Sequence, residues 1–218
     1  MEPIIRTTIT IDWITILLFV SLLFIVIAKG LFYGRFLNFI ILPFNNKYVF
    51  MYNKKDRLRN WFHVFFTIFQ LINFSLFAYS ARNILAGLDK NADPLIFLII
   101  MGVIFLFFAT KVILQLSNGF VFGSSKSISE IVFKKLSYLN YSGLVMFLAN
   151  VLLSFVLNDS KVVVFAAILL ILLINIIGWV TTLQNHQKFI ASNFFYFILY
   201  LCALEIAPLV IIGSYLNH

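Results

Sequence analysis

Glu205 is the residue whose type and setting most invite chemistry. It is the one acidic side chain well inside a long apolar run, twelve residues into the last such segment, or about 18 Å along a helix. An ionised carboxylate in hydrocarbon is costly, so this group must be protonated, paired or turned toward water. Pro208 follows three residues later and has no N–H to offer the carbonyl of Leu204. A freed carbonyl beside a carboxyl makes a polar pocket, and Cys202 shares the Glu205 face of the helix. Two readings follow. In one, Glu205 holds a proton, a cation or a substrate. In the other, a protonated carboxyl bonds to a neighbouring helix and fixes the packing. Asn73, Asn150 and Asn175, each in the middle of a different apolar run, are the candidate partners. Polar contacts between membrane helices contribute about 0.6 kcal/mol and at most about 1–2 kcal/mol, enough to specify packing without a catalytic role.

The other reactive side chains form no recognisable constellation. His63, His186 and His218 lack the close spacing of metal-binding helices. His63 and His186 both fall near the same predicted membrane boundary, so a metal or haem pair is conceivable in space. Cys202 is the single cysteine, which excludes an intrachain disulfide and any multi-cysteine metal site. There is no glycine-rich phosphate loop. No catalytic residue, cofactor-binding residue or metal ligand is therefore assigned, and no cofactor is expected. Lys111 sits near the end of the third apolar run, where a lysine can snorkel to the headgroups. Lys54, Lys55, Arg57 and Arg59 form a basic patch just before Trp61. Such a patch either touches anionic lipid or docks a soluble partner.

The elements that position these groups follow from composition. The chain has 218 residues, 62% hydrophobic and 11% charged, against about 45–50% and about 25% in soluble domains. That apolar surplus must face lipid. Six runs approach the roughly 20 residues that cross a bilayer core, at about 13–28, 61–81, 95–114, 138–157, 162–182 and 194–216. Helices are the elements that satisfy backbone polar groups in lipid, and the alternating strands of a barrel are not visible. The sequence thus predicts an all-α polytopic bundle of about six spans forming a single integral membrane domain over 1–218. Residues 1–12 carry Arg6 against Glu2 and Asp12, unlike a cleavable signal peptide, so the first run is read as a retained helix.

Lysine and arginine set the orientation. Twelve lie on the side of the first, third and fifth loops and four on the other, which predicts cytoplasmic odd loops and both termini outside. The net charge of +8 is this asymmetry, so nucleic acid is not an expected partner. The bilayer is, together with a membrane-protein or cytoplasmic partner. Residues 35–46 are apolar but too short to cross, and are read as an interfacial helix ending near Pro43. Residues 127–140 read as an amphipathic lead-in to the fourth span, capped by Ser127 or Ser129, with Lys134 and Lys135 on its polar side. Trp13, Tyr79 and Tyr215 mark the predicted outer boundary, and Trp61 and Trp179 the inner one.

The last run, with Phe195, Tyr196, Tyr200, Cys202, Glu205 and Pro208, resembles the C-terminal signature of an uncharacterised multi-pass membrane family of Bacteroidota, classified as a domain of unknown function. Trp13 and the basic, aromatic first cytoplasmic loop agree with it. The resemblance implies the inner membrane of a Gram-negative cell and carries over no activity. Small size, short outer loops and two amphipathic cytoplasmic elements favour a non-enzymatic subunit or assembly partner of a cell-envelope complex. A proton- or ion-coupled carrier using Glu205 is the main rival. An intramembrane lipid-modifying enzyme comes third, for want of clustered catalytic groups.

Overall fold

A computed structural model describes residues 11–44, 48, 51–52, 61–87, 94–121, 125–157 and 160–185. Every described secondary-structure element is helical, and no strand occurs among the described residues. The elements are α1 (Ile11–Leu31), α2 (Tyr33–Ile40), α3 (Trp61–Ala86), α4 (Pro94–Val121), α5 (Ser125–Val151) and α6 (Lys161–Asn185). Five of them, all but α2, are long and apolar enough to cross a membrane. The chain is therefore an all-α, multi-span protein. The run at 194–216, with Cys202, Glu205 and Pro208, lies outside the described residues. So do Lys54, Lys55, Arg57, Arg59, His186, His218 and Tyr215, and the side chain of Ser127.

Helix α3 is the hub. Its buried residues run from Phe62 and His63 through Phe66, Phe69, Gln70 and Asn73 to Leu76, Phe77 and Tyr79. It has neighbours on several sides, and polar groups among its buried residues meet other protein. Gly87, with φ 63°, ends it in the left-handed turn that glycine adopts without a Cβ penalty. Helix α5 runs alongside in the same direction. His63 meets Ser137 and Asn140, Gln70 meets Gly143, and Asn73 meets Asn150. The flanking helices α1, α4 and α6 run the opposite way. Trp13 near the start of α1 packs on Tyr79 near the end of α3, and Phe97 near the start of α4 joins them with ring centroids 5.3–6.4 Å apart. These aromatic residues form one packed cluster at one end of the bundle.

The outer helices show what lipid demands. Helix α1 buries Leu18, Ser21 and Ala28 and exposes Ile16, Phe19, Leu23 and Val26. Small side chains at the buried positions let helices approach closely. Helix α4 is the most peripheral, with Leu95, Ile99, Val103 and Leu106 all more than 60% exposed. Such apolar surface is stable against hydrocarbon and not against water.

The segment after α1 is short and amphipathic. Phe32, with φ −134° and ψ 48°, separates α1 from α2. Phe39 and Leu42 are fully buried, whereas Ile40, Ile41 and Phe44 are exposed. Phe39 packs against Phe66 with tilted rings, centroids 4.5 Å apart, and reaches Phe62, Tyr48 and Tyr141. The segment is pinned to α3 and α5 by this aromatic cluster, more firmly than an element resting on headgroups alone. Helix α5 is continuous from Ser125, so the amphipathic lead-in and the fourth span are one helix. It closes in a π turn, Leu152–Val156, with Leu157 N donating to Leu152 O at 2.7 Å. On its polar side Lys134 is buried and Lys135 half-buried, because that side of α5 faces other helices.

Candidate functional site: a cleft between four helices

A cleft of about 490 Å³ lies between α3, α4, α5 and α6. Its walls are mostly apolar, including Ile68, Leu71, Phe105, Phe108, Val112 and Leu139. Polar side chains enter from every helix: Thr67 and Gln70 from α3, Lys111 and Gln115 from α4, Lys135 and Tyr138 from α5, and Asn175 from α6. No residue of the described lining is acidic. Lys111 and Gln115 are four residues apart, so they share one face of α4. Lys111 and Lys135 lie within electrostatic reach of each other. The Lys135 ammonium sits 4.1 Å above the Trp179 ring, a cation–π contact that holds the charge in place at the cleft wall. Lys111 lies 5.9 Å from the Phe107 ring. Phe105 and Leu116 on the rim are exposed, so the cleft reaches the bundle's lipid-facing surface.

Close packing sets the width of the cleft. A Cβ at Gly178 would come within 2.6 Å of the Tyr138 ring, so α6 approaches α5 this closely because residue 178 is glycine. Gly143 plays the same part against Gln70, whose backbone Cα would be 3.1 Å from a Cβ there. Gln70 is 2% exposed, and its Nε2 is buried with no hydrogen-bond partner among the described residues. The Lys134 ammonium is buried likewise.

A second polar cluster adjoins the cleft. His63 is buried, with Nε2 3.3 Å from Ser137 Oγ and 3.5 Å from Tyr48 Oη. Its Nδ1 is 3.3 Å from the Asn140 amide, which also reaches Thr67 Oγ1 on the cleft wall at 3.3 Å. Ser137 donates its hydrogen to Phe133 O at 2.8 Å, leaving its oxygen to accept. That arrangement suits an imidazole with its proton on Nε2 and Nδ1 accepting from Asn140. The Phe133 ring stands edge-on to His63 with centroids 4.5 Å apart. Both ring nitrogens thus face protein groups of α5.

The asparagines weighed as partners of Glu205 separate into two kinds. Asn73 donates to Phe69 O within its own helix at 2.9 Å. Asn150 donates across to the backbone carbonyl of Asn73 at 3.0 Å. They bond α3 to α5, and both are fully buried. Asn175 donates to Ile171 O at 2.7 Å in its own helix and lines the cleft. The structure therefore brings Asn73 and Asn150 together and leaves Asn175 apart from them. Sequence reasoning did not find the cleft or the His63 cluster. Their signal was present in Thr67, Gln70, Ser137 and Asn140, polar residues in apolar runs that record which faces meet protein.

No curated protein and no solved structure matches the chain. A family described as Domain of unknown function (DUF4271) matches residues 14–216, nearly the whole length of the bundle with its cleft, and the chain belongs to that family.

Proposed function

We propose that this protein is a non-enzymatic, membrane-embedded binding subunit of the cell envelope, with the four-helix cleft as its working site. The observation that carries this reading is the lining of the cleft. Its described lining offers apolar walls, amides and ammonium groups, with no carboxylate, imidazole or thiol among the described residues, a set suited to holding a ligand more than to general acid–base work. The finer placement is the inner membrane of a Gram-negative cell, with odd-numbered loops in the cytoplasm, as the basic asymmetry and the family resemblance imply. Mid-sized concave sites between helices are common ligand sites in bundles, at about 300–1,000 Å³.

Filling the cleft tests this reading. Ala109 lines it without being buried, so Ala109→Trp occupies the space while leaving the helix contacts of α3 and α5 in place. The variant is expected to fold, with a thermal melt near that of the parent, and to fail to complement a deletion strain. Copurification in mild detergent with mass spectrometry should show partners of the parent missing from the variant. Full complementation by a folded Ala109→Trp protein removes the cleft as the working site.

A further inference from the structure

We propose that the cleft binds an acidic amphiphile, a lipid whose phosphate or carboxylate head sits between Lys111 and Lys135 and whose tail lies along the apolar wall of α4. This deepens the binding reading above and rests on it. Charge is the first argument. Two ammonium groups within electrostatic reach of each other share a cleft with no acidic residue in its described lining. Like charges away from bulk water oppose one another, and an anion placed between them turns repulsion into two attractive contacts. The second argument is hydrogen bonding. Gln70 is 2% exposed, lines the cleft, and holds a buried amide donor with no partner among the described residues. An oxygen-rich head supplies the acceptor that this donor lacks. Depth is the third. Lys111 lies seventeen residues after Pro94, or about 26 Å along α4, close to the full thickness of the hydrocarbon, about 30 Å. The lysines therefore stand near headgroup level, while Phe105 and Phe108 line the cleft one to two turns deeper. The exposed rim at Phe105 and Leu116 opens sideways onto lipid, so a bilayer amphiphile can enter without crossing water.

The test uses the full chain in phosphatidylcholine nanodiscs, with dioleoylphosphatidylglycerol, oleate and inorganic phosphate as separate probes. Native mass spectrometry counts retained lipid, and brominated lipid reports proximity by quenching tryptophan fluorescence. Trp179 is one of three tryptophans and lines the cleft, so Trp179→Phe identifies the quenching that arises there. The parent is expected to retain phosphatidylglycerol about tenfold better than phosphatidylcholine, and the double variant Lys111→Gln/Lys135→Gln should lose that preference. Lys111→Arg/Lys135→Arg keeps the charge and should keep the preference, which separates charge loss from misfolding. Displacement of phosphatidylglycerol by oleate supports a carboxylate head as sufficient, and resistance to oleate supports a phosphate head. Stabilisation by inorganic phosphate equal to that by phosphatidylglycerol overturns the amphiphile. Equal retention of the two phospholipids, with quenching at Trp179 intact, overturns the acidic head but leaves the cleft as a binding site. Absence of quenching at Trp179 by any lipid overturns both.

Discussion

Gly178 and Gly143 carry more of the architecture than their size suggests, because each lies where another helix leaves no room for a side chain. At Gly178 an added methyl meets the Tyr138 ring at 2.6 Å, close to that residue's own Cβ at 2.9 Å and not at the free end of a flexible side chain, so something must shift. Overpacking of this kind costs about 1–3 kcal/mol. Gly178→Ala should lower the detergent melting temperature, whereas Gly102→Ala, where nothing lies within 4 Å, should be neutral or slightly stabilising. Combining Gly178→Ala with Tyr138→Ala should show partial non-additivity, since the second change removes the ring atoms at 2.6 and 2.9 Å and leaves the residue 138 Cβ at 2.9 Å. Equal effects at Gly102 and Gly178 would show that helix propensity and not contact governs both. The asparagines give a matching contrast. Asn150→Ala removes the bond to the Asn73 carbonyl and should destabilise by about 0.6 kcal/mol and at most about 1.7 kcal/mol. Asn175→Ala removes only a bond within its own helix and should leave the melt unchanged while altering ligand retention in the cleft. None of this division is written in the residue types. Three asparagines in three apolar runs look alike in sequence, and only the azimuth of each on its helix distinguishes a clamp from a wall.

At the level of the helix, the informative sequence signal is dilution. The spans of α3 and α5 have mean hydropathies of 1.5 and 1.7, against 2.6–2.9 for those of α1, α4 and α6. The two less apolar helices are the central ones, since His63, Asn73, Ser137, Asn140, Ser142 and Asn150 are all buried in them. A polar group facing lipid has no partner, so polar residues in a span collect where another helix can meet them. Asn140, Ser142 and Asn150 dilute the fourth run, yet they lie in a central helix for that same reason. What the sequence conceals is the apolar face that packs against protein, because lipid and core accept the same leucines. Segment α2 shows the limit. Its length excludes crossing, but its attachment depends on Phe39 meeting Phe62 and Phe66. Phe39→Ala should destabilise by an amount at the lower end of the roughly 3–5 kcal/mol seen for buried phenylalanines, since lipid is as apolar as the core it leaves. Phe44, 89% exposed, should tolerate alanine with little change in the thermal melt. Comparable losses at the two positions would mean that α2 is held by the bilayer and not by the aromatic cluster.

For the molecule as a whole, the alternation of helix directions turns one measurement into many. α3 and α5 run together and α1, α4 and α6 run against them, as the pairings Trp13–Tyr79, His63–Asn140 and Tyr138–Gly178 establish. The connections around Lys90 and Lys161 therefore share one end of the bundle, and the connection around Lys126 lies at the other. Which end faces the cytoplasm is decided by charge, because Lys and Arg near span ends resist translocation. By sequence position, twelve basic residues fall in or beside the connections of the Lys126 side and four in or beside those of the other. Reporter fusions at Lys90, Lys126 and Lys161 should thus read outside, inside, outside, and a fusion at the C-terminus should read outside if the run at 194–216 crosses. Moving charge tests the cause: neutralising Lys54, Lys55, Arg57 and Arg59 together should produce a mixed population at all three sites, because these four are a third of the twelve basic residues on that side of the sequence-based layout. The three sites must change as a set, Lys90 and Lys161 always opposite to Lys126, since the packed helices cannot invert singly. Lys90 and Lys126 reading on the same side would contradict the antiparallel packing of α4 itself. A reversed but self-consistent pattern would leave the fold standing and refute only the orientation, moving Lys111, Lys135 and the amphiphile headgroup to the opposite leaflet.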